Sequence, residues 1–92
     1  MTTPLDHTFV APIGVDVKGE IWSCVEMPGS AEFFGTGKSV RVTGTIDGIA
    51  VTGGFMPTGT GGHMFSVSAK LRKKLGKDVG DEVVMRLTER LT

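Results

Sequence analysis

The sequence predicts an all-β fold: a small, six-stranded, mainly antiparallel barrel capped by one short helix at about Ala69 to Leu75. Three observations carry that expectation. Apolar and polar residues alternate with period two over most of the chain, the pattern of strands with one buried face. Asp47-Gly48 separates two such runs, a hairpin signal because both residues tolerate positive φ. Phe65 to Leu87, FSVSAKLRKKLGKDVGDEVVMRL, reads as a strand, a basic helix of one or two turns, a Gly-Asp corner and a last strand.

Phe9, Ala11, Ile13, Val15 and Val17 occupy alternate positions, so Thr8 to Val17 is the first strand. Lys18-Gly19 turns the chain into a second, Glu20 to Met27, which Pro28-Gly29 stops. Ser30 to Lys38 has room for one helical turn at Ala31 to Phe34, with both phenylalanines directed to the core. Val40 to Ile46 and Ile49 to Phe55 are the third and fourth strands, and Met56 to Gly62 (MPTGTGG) is a loop too rich in Gly and Pro to be regular. Phe65 and Val67 alternate with serines. Ser68 is then placed to cap a helix by accepting from a free N–H of its first turn. Leu71 and Leu75 share one helix face and dock it on the barrel, and Gly76 suits the left-handed position after a helix. Val83, Met85 and Leu87 alternate through the sixth strand. A weak internal echo runs through this order: IWSCVEMP followed by VRVTGTI parallels MFSVSAK followed by VVMRL, each half a hairpin, a strand, a cap and a strand. Duplication and coincidence both account for it.

Ninety-two residues make one domain, with a core over about residues 8–91 and flexible residues 1–7. No apolar run approaches the roughly 20 residues of a membrane span, and MTTPLDHT has no basic region leading into an apolar stretch. The single cysteine, Cys24, reads as a core residue and agrees with a cytoplasmic location. Ten basic side chains balance ten acidic ones, which argues against a dedicated nucleic-acid binder.

Glycine-rich segments offer weak motifs. Gly35-Thr36-Gly37-Lys38-Ser39 ends like a phosphate-binding loop, but Glu32 stands where the pattern needs glycine and a strand follows, so it reads as a strand connection. Gly59-Thr60-Gly61-Gly62 resembles half a dinucleotide fingerprint, yet Met64 replaces the last glycine; a loop over the barrel mouth is the better reading. His7, Cys24 and His63 lack metal-ligand spacing, so no metal site is expected. His63 reads as an exposed imidazole, with a general base as its functional alternative. Trp22 reads as core, alternatively as the aromatic wall of a pocket. Arg41 reads as solvent-facing with Thr43 and Thr45, alternatively as an anion-binding group.

Several spaced segments together carry a resemblance: Trp22, Met27-Pro28, VRVTGTIDG from Val40 to Gly48, the Pro57 and Gly61-Gly62 loop, and SAKLRKKLGKDVGDEV from Ser68 to Val83. From about Phe9 to Leu87 the chain resembles the bacterial domain-of-unknown-function family 1905. The resemblance implies a double-split β-barrel, similar in shape to the swapped-hairpin domains of AbrB-type regulators and MazE-type antitoxins. The chain departs from DNA-binding AbrB relatives in having Asp6 and His7 where a basic arm would stand.

The expected function is a non-catalytic module for a small molecule or protein partner, as monomer or homodimer, with its pocket near Trp22, Arg41, His63 and Arg72. No catalytic residue and no cofactor is assigned, since no nucleophile or acid–base pair stands out. The alternative is an AbrB-like nucleic-acid-binding regulator using the basic patch Lys70, Arg72, Lys73, Lys74 and Lys77, which otherwise reads as a solvated helix face.

Overall fold

The computed structural model describes the backbone of residues 3–92 and the side chains of residues 4–92. In chain order the elements are β1 (Thr3–Pro12), β2 (Val15–Val17), β3 (Glu20–Trp22), β4 (Cys24–Met27), α1 (Ser30–Phe34), β5 (Val40–Ile46), β6 (Ile49–Pro57), β7 (His63–Ser66), α2 (Ala69–Leu75) and β8 (Glu82–Arg90). One curled antiparallel sheet runs β1-β8-β5-β6-β7-β4, and β2 and β3 form a separate ribbon.

All six expected strands are present in the main sheet, but the first two each divide. The expected strand from Thr8 to Val17 breaks at Gly14, where φ is +136° and the N–H donates to the Cys24 carbonyl at 2.7 Å. Period two cannot reveal this break, because Ile13 and Val15 are buried on either side of it. The second breaks at Ser23, where the chain leaves the ribbon and enters the sheet. β1 also starts early: of the stretch expected to be flexible, Thr3 to His7 belong to β1, with Thr3 opposite Arg90, and residues 1 and 2 lie outside the described residues.

Local signals place the helices. The Ser68 hydroxyl accepts from the Leu71 N–H at 3.2 Å, and Gly76 ends α2 with φ of +68°. Leu71 and Leu75 are half-buried against the main core, so the helix lies on the sheet as expected. α1 is flanked by Gly29 and Gly35, both left-handed. Phe34 is buried, but Phe33 is 40 % exposed, contrary to the expectation for both rings. Successive helical residues point about 100° apart, so a five-residue helix directs only one of the two inward. Phe33 instead lies against His7 of β1, with ring centroids 4.5 Å apart.

Two halves repeat one arrangement. β1, β4, α1 and β5 precede the Asp47-Gly48 turn, and β6, β7, α2 and β8 follow it. β4 pairs with β7 and β5 with β8, both antiparallel, so the halves are related as by a two-fold axis. The correspondence extends to the caps, since each helix ends at a left-handed glycine. It fails in one place. β6 pairs directly with β7 through Phe55↔Phe65 and its neighbours, whereas their counterparts β1 and β4 lie side by side without a ladder. The connections differ accordingly: a short loop joins β6 to β7, but the chain between β1 and β4 satisfies its own backbone groups in the β2–β3 ribbon.

The main core fills the curl with Phe9, Ile13, Val25, Phe34, Val42, Phe55, Phe65, Met85 and Leu87 among others. Gly44 permits β5 and β8 to approach: a Cβ there would stand 2.1 Å from the Arg86 carbonyl oxygen.

Asp47 fastens the turn between the halves to the rest of the barrel. Its carboxylate accepts from the Val84 N–H at 2.8 Å and pairs with Lys77 at 2.6 Å, joining the β5–β6 turn to β8 and the segment after α2. The Lys77 ammonium first, and the Val84 N–H second, hold the Asp47 carboxyl below its ordinary value. A carboxyl lowered on folding stabilises the native state above its unfolded value, about 3.9, and that contribution disappears as pH falls through the lowered native value. Asp47→Asn is therefore expected to lower the urea midpoint at pH 7, with the gap to wild type closing in strong acid. An equal gap at pH 7 and pH 2 contradicts the assignment.

Candidate functional site

The unzipped seam between β1 and β4 holds a cavity of about 630 Å³. Ala11, Pro12 and Val10 of β1 form one wall, Glu26 and Met27 of β4 the other, and Pro28 to Glu32 close it from the α1 side. Thr60, Gly61 and Gly62 supply the rim, where the Thr58 N–H donates to the Gly62 carbonyl at 3.0 Å. The place related to it by the two-fold, beside α2, is a hollow of about 300 Å³ past the Phe55–Phe65 end of the β6–β7 ladder. Small side chains line the seam: Gly14, Gly29, Gly61 and Gly62 with Ala11 and Ala31. Its charged groups are two carboxylates, Glu26 and Glu32, and no lysine or arginine lines it. Both are exposed, neither is in an ion pair among the described residues, and Glu26 leans over the rim, its Oε2 3.0 Å from where a Cβ on Gly62 would lie.

A buried polar brace holds the α1 side of this cavity. His63 and Ser30 are both fully buried, and Ser30 Oγ lies 2.8 Å from His63 Nδ1. His63 Nε2 donates to the Lys38 carbonyl at 2.9 Å. A carbonyl can only accept, so Nε2 carries the proton, and in the neutral ring the Ser30 hydroxyl donates to Nδ1. One imidazole thereby ties β7 to the start of α1 and to the loop before β5. The phosphate-loop-like GTGKS segment serves here as structure: Gly35 caps α1 and Lys38 offers its carbonyl to His63.

The structure does not bring Trp22, Arg41, His63 and Arg72 to one place, and none of them lines the seam cavity. Trp22 is 41 % exposed on β3, opposite Val15, contrary to its reading as core, because the ribbon stands outside the main sheet. His63, read as exposed, is buried. Arg41 faces solvent as expected. Arg72 donates to the Val67 carbonyl at 2.6 Å and pairs with Asp78 at 3.3 Å, which commits it to the ends of α2. Within the basic patch Lys77 is paired with Asp47, while Lys70, Lys73 and Lys74 are exposed without an ion pair among the described residues. Cys24 is core as expected, packed with Val15 and Met64; burial raises its thiol above the ordinary value, and a hydrogen bond with Ser66 opposes that.

Sequence reasoning missed the seam. Ser30 is 33 positions from His63, and Val10, Glu26 and Glu32 carry no local pattern that marks a wall. The signal that existed was the internal echo, whose two halves differ in what joins their first two strands.

An all-β curled sheet with short helical caps and a groove at its one open seam is the class of protein these features define. The chain belongs to the family described as domain of unknown function (DUF1905), whose model matches residues 9–87. No curated protein matches it.

Removing one partner of a buried hydrogen bond leaves the other unsatisfied, at about 1–3 kcal/mol per group. Ser30→Ala is expected to lower stability by about that amount. His63→Leu, which strands both the Ser30 hydroxyl and the Lys38 carbonyl, is expected to cost more. Equal denaturation midpoints for wild type and both variants would show that the brace carries no load.

Proposed function

We propose that this protein is a non-catalytic binding module whose ligand lies in the groove between β1 and β4. The observation that carries this reading is the cavity at the seam, about 630 Å³ and within the range typical of ligand pockets. Its apolar floor of Ala11 and Met27, together with main-chain walls and a carboxylate rim, suits a ligand that buries an apolar body while presenting hydrogen-bond donors or positive charge. The nearby serine and imidazole are engaged with each other and hold α1, which supports binding rather than group transfer.

A fragment library screened by ligand-observed NMR tests this reading. Fragments are expected to concentrate in the seam, and Ala31→Trp or Val10→Trp, each placing an indole in the groove, should abolish their binding while the melting temperature stays within a few degrees. Fragments scattered over the surface, or bound equally to both filled variants, contradict it.

The second reading is nucleic-acid binding by the basic face of α2, favoured by the unpaired Lys70, Lys73 and Lys74. The ion pairs of Arg72 and Lys77 and the exposed Asp78, Asp81 and Glu82 weaken that field. Duplex binding by this face would show a log–log salt slope of about −0.9 per phosphate contacted. The expected result is weak binding that vanishes near physiological salt, where the screening length is about 8 Å.

A further inference from the structure

The seam is bounded along β1. At one end the Gly14 N–H closes on the Cys24 carbonyl, and at the other Phe33 of α1 lies against His7. Between them, Phe9 to Ile13 spans about 13 Å at the usual rise of some 3.3 Å per residue. In an antiparallel pair alternate residues direct N–H and C=O away from the partner strand. β1 is paired on its β8 side alone. Ile13 bonds toward that side through both its N–H and its C=O, so by alternation Val10 and Pro12 face the groove, and since proline has no N–H this edge offers the Val10 N–H and the two carbonyls. On the related side of the molecule β6 and β7 pair with each other over Phe55 to Pro57 and His63 to Phe65.

Two features of the lining bear on what fills this space. Four glycines and two alanines lie in it, so main-chain donors and acceptors are within an occupant's reach there. The exceptions in charge are Glu26 of β4 and Glu32 of α1, neither in an ion pair among the described residues. A free strand edge recognises extended backbone, and unpaired carboxylates recognise basic side chains.

We propose that the groove binds an extended peptide segment of a protein partner, about four residues long, which adds main-chain hydrogen bonds to the open edge of β1 and presents a lysine or arginine to Glu26 and Glu32. This assignment rests on the groove being the binding site and names its occupant. Main-chain pairing supplies affinity without reading sequence. The glycine-rich rim, Gly59 to Gly62, lies across the entrance, where Glu26 meets Gly62.

The test uses the full chain, uniformly labelled with nitrogen-15, and the nine peptides Ac-Lys-Xaa-Val-Xaa-Lys-NH2 in which each Xaa is Ala, Thr or Val. At least one is expected to shift the amides of Val10, Ala11, Glu26 and Met27 and to bind at least tenfold more tightly than its counterpart with glutamate in place of lysine. Methylating alternate amide nitrogens along one edge of that peptide should abolish binding, while methylating the other edge should not. Glu26→Gln with Glu32→Gln should remove most of the preference for lysine and leave the melting temperature unchanged. The proposal is overturned if no peptide shifts the seam at millimolar concentration, if the glutamate peptides bind equally well, or if both methylated forms bind like the parent. Should fragments still occupy the seam in those cases, the groove remains the binding site and only its assignment to peptides fails.

Discussion

Backbone hydrogen bonding imposes one demand on a small curled sheet: every strand edge must find a partner, meet water, or be covered. Six strands arranged in a ring need six ladders, and the main sheet forms five among the described residues. The sixth, between β1 and β4, is absent: the chain joining them forms the β2–β3 ribbon and returns to the sheet only at Cys24, and Pro12 has no N–H to give a ladder. The position of the cavity and the need to anchor α1 follow from that missing ladder.

With no ladder to fix it, the α1 side of the seam is held by side chains. Phe34 anchors the helix in the core, Phe33 reaches across to His7, and the buried Ser30–His63–Lys38 chain supplies direction. Buried polar groups with satisfied geometry specify a position more narrowly than apolar contacts do, since a displaced donor costs its desolvation. α2 lacks such a brace. It packs against the main core, half-buried through Leu71 and Leu75, and its polar contacts lie at its ends. The halves thus share an arrangement while dividing their work: one closes the barrel and the other leaves it open.

Much of this architecture is legible in the sequence where the physics is local. The Asp47-Gly48 turn, the Ser68 cap, the Gly76 stop and the alternation through β5 and β8 each depend on a few neighbouring residues, and each is found where expected. The site is not legible, because it depends on residues that are distant in the chain. His63 opens a strand after a glycine loop, which looks like an exposed position; its burial comes from α1 folding over it. Trp22 fits a core strand by composition, yet the break at Gly14 moves its strand out of the main sheet. Val10 and Glu26 look like ordinary outward-facing strand residues, which they are, and only the absence of a ladder turns their edges into walls.

Amide hydrogen exchange, followed residue by residue by NMR, measures that open seam most directly. If the sixth ladder is absent, N–H groups on β1 directed toward β8 exchange slowly, while those directed toward β4 exchange orders of magnitude faster, and the facing edge of β4 behaves the same way. The groups of β6 and β7 that bond to each other between Phe55–Pro57 and His63–Phe65 should be slow. Equal protection of both edges of β1 would mean that the ring closes with six ladders, and the groove would have no place in the folded protein.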